Sequence, residues 1–167
     1  MSRVLVLGWG NPGRGDDALG PLLLESLESE AARRPDWEAH GFVSDFQLQP
    51  EHALDLDGAA QVLFVDASTS ATAPFTLTRI APARDRSFSS HALSPQAVLA
   101  VCEQVTGQAA PPAWLLGIRG EEFELGVPMS PEAASRLGAA TELARDLLSN
   151  PDPAYWDRAM QGPPCTN

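Results

Sequence analysis

The sequence contains no lysine: its strong positive charge is carried by 11 arginines against 22 aspartates and glutamates, for a formal net charge of −11. Holding a phosphate backbone requires clustered basic side chains, so nucleic acid is not an expected partner. Acidity of this size is also a plain route to solubility. Cysteine is scarce as well, with Cys102 and Cys165 far apart and no Cys-x-x-Cys spacing. That excludes a zinc knuckle or a redox pair and suits a reducing cytoplasm. No apolar run approaches the roughly 18 residues that span a bilayer, so no membrane association is expected. Met1–Trp9 is apolar but has neither a basic leader nor a small-residue cleavage site, and reads as a strand rather than an export signal.

What is present is an ordinary globular composition, 44% hydrophobic and 20% charged over 167 residues. A chain of about 150 residues buries roughly 70% of its unfolded surface, enough for one core. Val4–Trp9 is an almost unbroken apolar run ending in glycines, the pattern of a strand covered on both faces. From Asp17 through Leu19, Leu22, Leu23 and Leu27 the apolar spacing becomes three and four, which is helical. A second strand is expected over Trp37–Val43, a short helix over Pro50–Leu56 and a third strand over Gln61–Asp66. Phe75–Ile80 follows too soon for a parallel crossover and is expected to be antiparallel. Ser94-Pro95 and Ser130-Pro131 open two further helices around a last strand, Trp114–Ile118. Val98, Val101, Cys102 and Val105 would form the buried face of the first of these helices, and Leu137, Thr141, Ala144, Leu147 and Leu148 that of the second. Residues 1–149 thus read as a single α/β domain on five strands, and 150–167 as a proline-rich mobile tail.

The chemistry concentrates in Gly8-Trp9-Gly10-Asn11-Pro12-Gly13-Arg14-Gly15-Asp16-Asp17, where the first strand hands over to the first helix. A glycine turn at that point can bind a dinucleotide, but two carboxylates at its mouth would repel a pyrophosphate and favour a cation. Asp66 closes the third strand, so Asp17 and Asp66 could converge beyond the carboxyl ends of the parallel strands. His91 precedes a helix, and the roughly ten residues before it span about 33 Å when extended, enough to reach the same edge. Two carboxylates and an imidazole suit nickel or zinc and accept cadmium, without selecting one. Duller readings stay open: Asp16 or Asp17 as a helix N-terminal carboxylate, Asp66 as a turn former, and His40 and His52 as solvent-facing side chains.

These segments resemble the nickel-iron hydrogenase maturation endopeptidases over roughly residues 2–149. The resemblance rests on Gly8-Trp9-Gly10-Asn11 followed by Asp16-Asp17-Ala18-Leu19-Gly20, on Leu63-Phe64-Val65-Asp66-Ala67, and on His91-Ala92-Leu93-Ser94-Pro95. It implies a three-layer α/β/α sandwich around a twisted, mostly parallel sheet with one antiparallel strand. It also implies a metal-dependent endopeptidase that cuts a C-terminal extension from the nickel-loaded large-subunit precursor. Asp17, Asp66 and His91 would be its metal-ligating and catalytic residues, with Gly8, Gly10, Asn11 and Asp16 shaping the turn at the site. Nickel is the implied metal, delivered with the substrate, with zinc or cadmium as substitutes. A cytoplasmic monomer is expected, with the hydrogenase precursor as its partner.

One departure concerns the loop after the second strand, where many members carry Gly-Gly-Thr. Here it reads Ser44-Asp45-Phe46-Gln47-Leu48-Gln49-Pro50-Glu51, a pattern resembling processors of cytoplasmic, pyridine-nucleotide-linked hydrogenases. Asp45 and Gln47 are the candidates for substrate recognition, against the alternative of an ordinary polar turn. Two rival functions remain. Gly10-Asn11-Pro12-Gly13 matches the opening of peptidyl-tRNA hydrolases, but the chain continues into Gly15-Asp16-Asp17 rather than that family's Arg-His-Asn element, and its acidity suits tRNA badly. The absence of a serine triad or catalytic cysteine keeps a non-catalytic nickel- or precursor-binding chaperone in view.

Overall fold

The computed structural model describes residues 3–84 and 93–160. Strand β1, Val4–Trp9, is buried from Val4 to Gly8, as its apolar run requires. It is flanked by β2, Gly41–Asp45, and β3, Gln61–Ser68, both parallel to it. Strand β5, Ala113–Arg119, lies parallel to β3, and β4, Phe75–Ile80, closes the sheet antiparallel to β5, giving the order β2-β1-β3-β5-β4. From β1 the chain runs out to β2 and returns on the other side as β3. The strand order therefore reverses at the β1–β3 pair, where open α/β sheets form their ligand crevices.

Successive residues of β1 and β3 sort to opposite faces, and each face is covered by helices. Val4, Val6, Leu63 and Val65 pack against α1, Leu19–Ala31, and α4, Pro131–Ser149. Leu5, Leu7, Val62 and Phe64 pack against α2, His52–Asp55, and α3, Pro95–Thr106. The result is a three-layer α/β/α sandwich around a mixed, mostly parallel five-stranded sheet. Both serine-proline starts act as caps: Ser94 Oγ accepts from the Ala97 N–H at 3.1 Å and Ser130 Oγ from the Ala133 N–H at 3.2 Å. Among the described residues, no helix is long and apolar enough to cross a membrane.

Several expectations need correction. The second strand begins at Gly41 rather than Trp37, because Pro35–Trp37 forms a 3-10 turn that buries the indole, with the Arg34 guanidinium 4.1 Å from its centroid. Val105 is 60% exposed rather than part of the buried face of α3. His40 and His52 are both buried. His40 Nδ1 accepts the Val4 N–H at 3.1 Å, and burial holds its imidazole below the usual histidine range.

The stretch expected to be a mobile tail instead contains a helix, α5, Pro153–Ala159, capped by Asp152. Its Trp156 is fully buried edge-on to Trp114, with ring centroids 4.9 Å apart, and its Nε1 donates to the Leu147 and Asn150 carbonyls at 3.0 Å. Asp157 accepts from Trp114 Nε1 at 3.1 Å and pairs with Arg79 at 2.8 Å. The packed unit thus extends through α5, while 161–167 lie outside the described residues.

Candidate functional site

The turn after β1 is built so that backbone and carboxylate nearly touch. At Gly10 φ is +150°, and a Cβ would stand 1.9 Å from the Asp17 carbonyl oxygen, so only glycine fits. A Cβ on Gly20 would likewise lie 2.7 Å from the Trp9 carbonyl oxygen, which is how closely α1 approaches β1. The Asn11 N–H donates to Asp17 Oδ2 at 2.7 Å, and Asn11 Oδ1 in turn accepts from the Gly13 N–H at 2.8 Å. The Gly10 N–H donates to the Asp45 carbonyl at 3.1 Å, tying the turn to the end of β2. Asp17 is thereby fixed, half-buried, at the reversal of strand order.

Asp66 lies in β3 opposite Gly117 of β5, one step beyond Val65, which pairs with Gly8. Its side chain continues the Val62–Phe64 face of the strand, the face covered by α3. Burial, and then the charge of Asp17, push its carboxyl up to about 7, against a hydrogen bond from the Ala67 N–H that lowers it. A carboxyl titrating there can hold or release a proton at neutral pH. Two mutually repelling carboxylates also fit a divalent cation, whose charge would relieve the repulsion. Among the described residues, no group of three or more His, Cys, Asp or Glu side chains is placed to hold a metal ion. His91, the third expected ligand, lies outside the described residues.

Asp16 has a different role from its neighbour. It is buried and accepts four hydrogen bonds: from the Glu121 N–H at 2.7 Å, the Glu122 N–H at 3.1 Å, the Ser130 N–H at 2.8 Å and the Ser130 hydroxyl at 2.9 Å. Burial pushes this carboxyl up, but the hydrogen bonds together outweigh it and hold it below the usual range. Asp16 thus clasps the β5–α4 loop to the glycine turn, reinforced by the Gly15 N–H to the Val127 carbonyl at 3.0 Å and the Gly126 N–H to the Gly13 carbonyl at 2.8 Å. Leu125, on this loop beside Gly13, is 68% exposed.

On the other flank, Gly10, Pro12, Pro21, Ser44, Asp45 and Phe46 line an open cavity of about 230 Å³. Asp45 is half-exposed there, and Gln47 is exposed on the same loop, which the buried Leu48 anchors.

This architecture recurs in solved structures. The NiFe hydrogenase maturation protease HycI from Thermococcus kodakarensis KOD1 matches 89% of this chain and 94% of its own, with a TM-score of 0.67 at 23% identity. The hydrogenase maturating endopeptidase HybD from E. coli matches 89% of this chain and 93% of its own, with a TM-score of 0.68 at 24% identity. The fold is that of the hydrogenase maturation proteases. A hydrogenase 2 maturation peptidase from a Thaumarchaeota archaeon extends the likeness, at a TM-score of 0.62 and 21% identity over 89% of this chain and 99% of its own. No protein-family model matches the chain, and neither does any curated protein sequence.

Within this maturation-protease fold, Asp17, Asp66 and Asp45 all lie at the carboxyl ends of the parallel strands, whereas Asp16 turns away into the clasp. The sequence reading missed His52. Its Nε2 lies 3.2 Å from Asp45 Oδ2, and its Nδ1 accepts the Gln49 N–H at 2.8 Å. The available signal was position: His52 stands one residue before the buried Ala53 and four before the buried Leu56, on the inner stripe of a short helix.

Proposed function

We propose that the protein is a metal-dependent endopeptidase that removes a C-terminal extension from the nickel-loaded large-subunit precursor of a nickel-iron hydrogenase, acting as a cytoplasmic monomer. The observation that carries this reading is the meeting of Asp17 and Asp66 at the β1–β3 reversal, within a fold shared with maturation proteases along 89% of the chain. Asp17, Asp66 and His91 would hold a divalent ion, nickel first and zinc or cadmium as substitutes. When bound, such an ion supplies polarisation of a carbonyl or a lowered pKa for a bound water. Nickel seated in the precursor is part of the substrate, so its presence would license cleavage.

The chain's own residues prepare the crevice. The Asn11 N–H orients the Asp17 carboxylate, and the Gly10 turn lets backbone approach without a side chain in the way. Asp66, partly shielded from water, holds a proton near neutral pH, and its ionised form would be favoured by a bound cation. Incubation with nickel-loaded and nickel-free precursor, read by mass spectrometry, tests the reading. We expect loss of the C-terminal peptide from the loaded precursor alone. An unchanged mass would instead identify a binding chaperone.

A further inference from the structure

The cavity beside the glycine turn holds a carboxylate whose orientation is set from behind. Asp45 has a side chain 38% exposed, yet both its oxygens are engaged: Oδ1 accepts the Phe46 N–H at 2.7 Å and Oδ2 faces His52 Nε2 at 3.2 Å. The imidazole that holds it is nearly inaccessible, with a side chain 8% exposed. Because His52 Nδ1 accepts the Gln49 N–H, the ring's remaining hydrogen lies on Nε2, directed at Asp45. An exposed aspartate ordinarily samples several rotamers, and binding has to order one of them. Here the ordering is already done, by a residue that does not itself reach the cavity lined by Gly10, Pro12, Pro21, Ser44, Asp45 and Phe46.

We propose that His52 is a positioning residue for substrate recognition: it fixes the Asp45 carboxylate so that its free lone pairs receive a hydrogen-bond donor from the precursor chain beside the scissile bond. The proposal rests on the endopeptidase reading. The competing role is purely structural, with His52 serving only to fasten the loop through the Gln49 N–H. The two nitrogens separate these roles, because an asparagine amide overlays Nδ1 and a glutamine amide overlays Nε2. His52→Asn keeps the acceptor for Gln49 and loses the donor to Asp45, whereas His52→Gln does the reverse.

The test compares wild type, Asp45→Asn, His52→Asn, His52→Gln and the Asp45→Asn/His52→Asn double variant. Each is measured for kcat and KM on the nickel-loaded precursor and for thermal unfolding. We expect His52→Asn to unfold near the wild-type temperature, to raise KM about tenfold and to leave kcat within about twofold, the pattern of lost uniform binding. His52→Gln should restore most of the KM. The double variant should be no worse than Asp45→Asn alone, since residues acting through one another are not additive. A wild-type KM in His52→Asn, or penalties that multiply in the double variant, would overturn the positioning role. If His52→Asn does not fold, a raised KM in folded His52→Gln overturns it equally. A wild-type protein that processes nothing brings down the endopeptidase reading and this inference together. Normal processing by wild type and His52→Asn alike removes the inference alone.

Discussion

The clasp and the crevice place two aspartates, Asp16 and Asp66, in opposite situations. In the clasp, Asp16 is buried but surrounded by four donors, and its carboxyl is held below the usual range. In the crevice, Asp66 is only partly buried, yet loss of hydration and then the charge of Asp17 push its carboxyl up to about 7. The same functional group therefore stabilises one region and burdens the other. Burial alone does not decide a carboxyl's pKa; burial against a like charge, with few donors, raises it.

The contrast can be broken in several ways. Asp17→Ala and Asp66→Ala should each lower precursor processing by about 1,000-fold, roughly 4 kcal/mol in the barrier, while leaving the protein folded; a kinetic comparison on loaded precursor checks this. Asp16→Ala should instead cost about 3 kcal/mol of stability, because it removes the buried acceptor of four hydrogen bonds that hold the β5–α4 loop; denaturant unfolding measures this.

Asp66→Asn should move stability in the other direction. Its carboxyl has a folded pKa near 7, raised from 3.8, so keeping it ionised in the folded state opposes folding. That burden is full above pH 7 and fades as the pH falls towards 3.8, because both states are then protonated. In metal-free buffer with chelator, Asp66→Asn should therefore gain about 2 kcal/mol at pH 8 and almost nothing at pH 4, as read by unfolding at both pH values. A smaller effect belongs to Ser130→Ala. It removes one hydroxyl donor to Asp16 and the cap of α4, and should cost about 1 kcal/mol by the same measurement.

Much of the fold was legible because single physical rules decide it. The apolar runs of β1 and β3 could only be buried strands, and the short link between β3 and β4 forced the antiparallel edge. Proline after serine marked the starts of α3 and α4. The second strand was misplaced because Trp37 looks like a strand residue, whereas the preceding Pro35 commits it to a turn. The helix α5 was invisible because seven residues give no usable period, and its one decisive contact, Trp156 on Trp114, is remote in sequence.

The site was legible in part. Local spacing put Asp17 and Asp66 at one edge of the sheet, but nothing local tells Asp16 from Asp17. The donors that claim Asp16 come from Glu121, Glu122 and Ser130, more than 100 positions away. His52 escaped for a related reason: a lone histidine in a polar loop reads as wet until the helix buries it.

The Trp156 anchor bears on how the protein can be shortened or tagged. A chain cut after Ser149 would leave the Trp114 ring and the inner side of α4 open to water, inviting self-association. A fusion partner therefore belongs beyond Met160, where its linker would leave this tryptophan pair intact.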